Sequence, residues 1–197
     1  MKHVPITVVS TPDNTPKGLF VNAVGWDYSA ILLSADFNSR ASLARDLGEK
    51  HRRVVSIRLP TVKPFVVASV FAVELYIKSL LSMQATPVPK KHSLKGMFAL
   101  VSDSARKRIE QLYDIEFAKE PALQESKAAH GGARDREYSM EYVIESCDQA
   151  FVEWRYYHEG TIASGNPNIT PLKNGLRRYL VELHPTWDEL IEEIHRK

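Results

Sequence analysis

The chain has 197 residues, 44% of them hydrophobic and 25% charged, which is the composition of an ordinary folded globular protein with room for a proper core. A net charge of +2 is too small for the broad basic surface of a non-specific nucleic-acid binder, so any basic footprint must be local. The single cysteine, Cys147, excludes an intrachain disulfide and a cysteine-based zinc cluster, and the seven histidines show no metal-site spacing.

No signal-peptide pattern opens the sequence. The longest apolar run, Phe65 to Val73, is far shorter than the roughly 20 residues of a membrane span. A cytoplasmic location without membrane contact is therefore the expectation. Residues 1–25 read as an extended N-terminal arm or a hairpin. Val4 to Val9 and Leu19 to Val24 are short β-branched runs around Ser10 to Gly18, a turn-rich stretch with two prolines.

From Tyr28 to Lys50 the pattern becomes helical, with Ile31, Leu32, Ala35, Ala41, Leu43, Ala44 and Leu47 on the apolar side. Gly48 and the cluster Lys50, His51, Arg52 and Arg53 suit a helix C-terminus, where cations complement the dipole. Val54 to Leu59 is an extended link, and Pro60 and Pro64 bracket the start of a central helix running to Met83. That helix is almost wholly apolar, its only charges being Glu74 and Lys78, which stand four apart on one face, acid first. A buried charge needs a partner. The two residues thus form either a structural ion pair or part of a polar pocket.

A proline-containing loop, Ala85 to Lys91, leads to a short helix from Ser93 to Val101 and then to a helix from Ser104 to Ala118. Glu120 to Arg136 is charged, contains Gly131-Gly132 and has little to bury, and reads as a mobile surface loop. Glu141 to Glu159 is a second strong helix, with Ile144, Cys147, Phe151, Trp154 and His158 on a narrow seam. Leu172, Leu176, Tyr179, Leu180 and Leu183 mark a further amphipathic helix ending at His184-Pro185. Thr186-Trp187-Asp188-Glu189 is a capping box opening the last one. The expected fold is all-α, an antiparallel bundle of six or seven helices over residues 26–197.

Three blocks resemble the HEPN superfamily of helical-bundle proteins. They are Phe71-Ala-Val-Glu-Leu-Tyr-Ile-Lys-Ser-Leu-Leu81, Lys91-His-Ser-Leu-Lys-Gly-Met-Phe98 and Phe151-Val-Glu-Trp-Arg-Tyr-Tyr157. Their order and separations fit the family over residues 65 to 160. The resemblance implies an all-helical fold that often forms homodimers. It also implies kinship with RNases, toxin components and RNA- or nucleotide-associated defence proteins. Active family RNases use an Arg-x(4–6)-His motif. Here the corresponding helix offers Arg155-Tyr-Tyr-His158, too short by at least two residues, and the formal matches Arg45 to His51 and Arg178 to His184 lie outside the resembling blocks.

The expectation is accordingly a non-catalytic module that binds RNA, a nucleotide or a protein partner, acting as a homodimer and needing no cofactor or metal. The candidate ligand-binding residues are Glu74, Lys78, His92, Lys95, Arg155 and His158, inward polar groups on facing helices. The alternatives are a metal-independent ribonuclease using Arg155, His158 and His92 as a displaced catalytic set, and a structural accessory subunit. Lys90, Lys91 and Lys95 around His92, at a helix start, would suit an anion. Cys147, on an apolar seam, reads as a buried small hydrophobe. Arg155 is placed to pair with Glu159 or to reach Glu74 as a fork-shaped donor.

Overall fold

The computed structural model describes residues 13–51, 62–90, 92–130, 132, 134–148 and 169–196, with backbone alone at 36–51, 62–64 and 193–196. Among the described residues there are eight α-helices and no strand. They are α1 (Pro16–His51), α2 (Val62–Met83), α3 (Leu94–Phe98), α4 (Asp103–Ala118), α5 (Pro121–Ala129), α6 (Met140–Cys147), α7 (Ile169–Leu183) and α8 (Asp188–Arg196). Short 3-10 turns, Asp135–Tyr138 and Pro185–Trp187, precede α6 and α8. The all-α bundle expected from the sequence is present.

Helix α2 runs through the core, with Val70, Ala72, Val73, Tyr76, Ile77, Leu80 and Leu81 buried. Burying side chains of this size contributes about 1.5–3 kcal/mol each, so α2 is the main apolar contributor. Helix α1 lies antiparallel beside it. Ser79 Oγ donates to the Pro16 carbonyl at 2.7 Å, the Phe20 and Tyr76 rings are 5.8 Å apart, and those of Trp26 and Phe71 5.1 Å. The stretch Phe65–Met83 is long and apolar enough to cross a membrane, so Glu74 and Lys78 do not shorten the helix below that length. Two thirds of it is buried inside the bundle, as befits a core helix.

The N-terminal expectation is corrected from residue 16 onward. Leu19 to Val24, read as extended, lies in α1, so a boundary at residue 25 falls inside a helix. The turn-like Thr15-Pro16 pair is a helix start. Thr15 Oγ1 accepts from Gly18 N–H at 3.1 Å, and proline occupies the first helical position, where its missing N–H costs nothing. Leu19, Phe20, Ala23 and Val24 then form a buried helical stripe. Residues 1–12 lie outside the described part, as does the Val54 to Leu59 link.

Glu120 to Arg136 is also corrected. It holds α5, opened by Pro121 at its first turn, and the 3-10 turn Asp135–Tyr138. No α5 residue is buried, so the helix has no apolar stripe by which to announce itself. The expected helix Glu141–Glu159 is described as α6, Met140–Cys147, and residues 149–159 lie outside the described part.

Helices α4 and α7 cross closely at Gly175. A Cβ there would meet the Tyr113 backbone nitrogen at 3.1 Å. Trp187, from the turn before α8, packs on Phe20 at 4.8 Å and ties the C-terminal corner to α1.

Candidate functional site

Glu74 is 2% exposed and meets two partners. Lys78 Nζ donates to Oε1 at 2.6 Å, and His92 Nδ1 lies 2.9 Å and 3.0 Å from the two oxygens. A carboxylate only accepts, so Nδ1 carries the proton. The helical i,i+4 spacing delivers Lys78, while the loop before α3 delivers His92. Three of the expected ligand residues therefore converge. Within this group the carboxylate is held by its own protein, as a structural ion pair requires.

Lys95 does not join them. Its Nζ donates to Glu145 on α6 at 2.6 Å, a contact that raises the lysine pKa and lowers that of Glu145. The expected anion at the start of α3 is the protein's own Asp148. Its Oδ1 accepts from Lys95 N–H at 2.7 Å and from Ser93 Oγ at 2.9 Å, while Ser93 Oγ caps Gly96 N–H at 3.0 Å. Arg155 and His158, and with them the third resembling block and the Arg155 pairings with Glu74 or Glu159, lie outside the described residues. Of the formal Arg-x-His pairs, Arg178 binds Glu116 and Glu182, and His184 stacks on Trp187 at 4.6 Å. The side chains of Arg45 and His51 lie outside the description. Cys147 is buried, as its seam position suggests.

Next to the Glu74 cluster, three rings follow one another across the surface. Trp26, 42% exposed, stands 5.1 Å from Phe71, which stands 6.4 Å from the exposed His92 ring. An indole this open at a helix surface is unusual for a residue that normally buries most of its area.

A second charged cluster joins α1, α2 and α7 and escaped the sequence reading. Asp27 is 1% exposed and Lys173 3%. Lys173 Nζ lies 2.5 Å from Asp27 Oδ1, an ion pair off the hydrogen-bonding direction. Arg177 donates to Oδ2 at 3.0 Å, and the Tyr76 hydroxyl donates to the same oxygen at 3.3 Å. Burial, and then the Asp27 charge, push the Tyr76 phenol well above its ordinary pKa, so it stays neutral. Two cations thus share one carboxylate in the interior. Elsewhere on α2, the buried Ser69 hydroxyl has no hydrogen-bond partner among the described residues.

Among the described residues no group of three or more metal-ligating side chains converges. No family model, curated protein or solved structure matches the chain.

Proposed function

We propose that the chain is a non-catalytic HEPN-like module that binds single-stranded RNA. The surface run of Trp26, Phe71 and His92 carries this reading, because spaced rings beside basic groups are how unpaired bases are stacked. The exposed Lys90, two residues before His92, supplies positive charge for the backbone. The non-catalytic part is supported by Glu74, whose oxygens are occupied by Lys78 and His92. It is also supported by the short Arg155-Tyr-Tyr-His158 spacing.

Fluorescence anisotropy with labelled single-stranded and duplex RNA, at a low and a high salt concentration, tests the reading. The single strand should bind more tightly and weaken as salt rises. Trp26→Ala should weaken it about tenfold, since one stacked base is worth about 1–3 kcal/mol, and Trp26→Phe should retain most of the affinity. Absence of binding at low salt overturns the proposal in favour of a protein partner. RNA cleavage that falls 10²-fold or more in His92→Ala would instead establish the ribonuclease.

A further inference from the structure

The Asp27 cluster opens to the surface at one point. Arg177 is 27% exposed and, on its outer side, lines a pocket of about 260 Å³ between α4, α7 and α8. The same pocket is lined by Lys119, Arg178, Asn174, Glu116 and Asp188. At its mouth, Glu116 accepts from Lys119 at 2.6 Å and pairs with Arg178 at 3.4 Å, while Glu182, 3.8 Å from Arg178, is held by Arg108 at 2.7 Å, so the cations Lys119, Arg178 and Arg108 face the carboxylates Glu116, Asp188 and Glu182. Behind it, charge is not balanced. Among the described residues Lys173 and Arg177 pair with Asp27 alone, and the third polar group, Tyr76, is neutral. The surplus positive charge sits at the edge of a buried cluster, with Lys173 inside and Arg177 partly open to solvent, and an anion placed at the Arg177 end offsets it.

We infer that this pocket binds a phosphate group. Arg177 would present the surplus charge. Lys119 and Arg178, released in part from Glu116, would close on the oxygens, and the Asn174 amide offers a further donor. The pocket holds a phosphate with attendant water but is below the usual size of a site for a whole drug-sized ligand. The phosphate is therefore either a free ion or the end of a longer molecule that lies outside. This inference rests on the α4–α7–α8 pocket and is independent of the Trp26 surface.

Phosphorus NMR and calorimetry with inorganic phosphate, on the full chain at fixed ionic strength, test the site directly. A 5′-phosphorylated and a 5′-hydroxyl oligonucleotide of one sequence, compared in the Trp26→Ala background, separate a terminal phosphate from the free ion. Both Arg178→Gln and Lys119→Gln alter exposed positions that leave the buried cluster intact, and each should weaken phosphate binding about fivefold or more. Asp188→Asn, which removes a repelling carboxylate, should tighten it. Lys127→Gln, outside the pocket lining, should change nothing. Equal affinity across wild type, Arg178→Gln and Lys119→Gln, or no phosphate binding at all, overturns the inference.

Discussion

Asp27 is the residue on which the interior's electrostatics turn, because it is the partner of both Lys173 and Arg177. Removing it leaves two cations without a counter-charge, one of them nearly inaccessible to water. Asp27→Asn should therefore cost about 3–5 kcal/mol in urea unfolding, the range for breaking a buried pair from one side. Lys173→Met should cost about 1 kcal/mol or less, since Arg177 still satisfies the carboxylate and methionine fills much of the same volume. Equal losses for the two variants would mean that the cations do not share the charge. Ser69→Ala should raise stability by about 1 kcal/mol, because it deletes a buried hydroxyl that makes no hydrogen bond among the described residues and improves helix propensity. The Glu74 group was legible in the sequence because two charges four apart stand out in an apolar helix. Asp27 and Lys173 left the same kind of trace. Asp27 falls on the stripe of Phe20, Ala23 and Val24, and Lys173 on that of Ile169, Leu172 and Leu176. The first trace was hidden because Leu19 to Val24 read as extended, which removed the helical register that makes Asp27 an inward residue.

Helix starts and helix crossings were legible in proportion to how local their chemistry is. The central helix needed only its own apolar side chains, and α4 and α7 only their stripes. Thr15-Pro16 misled because the pair suits a turn as well as an N-cap followed by the first helical residue, and the choice is made by packing of Phe20 on Tyr76 and Trp187. Gly175 is a position whose role only the assembled bundle reveals. Its missing Cβ lets α7 approach the Tyr113 backbone. Gly175→Val should lower stability by about 2–3 kcal/mol, because a branched side chain must push two helices apart and the obstructing atoms are main chain. Gly25, inside α1, is the contrasting case. A Cβ there meets nothing within 4 Å, so Gly25→Ala should add about 0.5–1 kcal/mol through helix propensity alone. Thermal melts followed by circular dichroism distinguish the two. A harmless Gly175→Val would show that the α4–α7 crossing adapts.

At the scale of the whole molecule, two buried tyrosines link the helices and should set the alkaline limit of the fold. Tyr76 joins α2 to the Asp27 cluster, and Tyr113, on α4, donates to the Tyr138 carbonyl at 2.8 Å in the turn before α6. Burial raises both phenols above their ordinary pKa, and the neighbouring Asp27 and Asp114 charges, respectively, add to the effect. The sign follows from proton counting. Below about pH 10 both states keep these protons, and the tyrosines make stability no more pH-dependent. Above it the unfolded chain loses them while the folded chain holds them, so stability falls by about 1.4 kcal/mol per pH unit for each residue until the folded pKa is reached. Urea unfolding between pH 9 and pH 12 should show this decline. Ordinary exposed lysines also lose their protons in that window, so variants separate their contribution from that of the phenols. Tyr76→Phe removes one of the two contributions, and the double variant with Tyr113→Phe removes both. If the double variant declines as steeply as wild type, the lysines govern alkaline unfolding. A slope that falls in two steps instead places the limit in the phenols that tie α2 to α1 and α4 to the turn before α6.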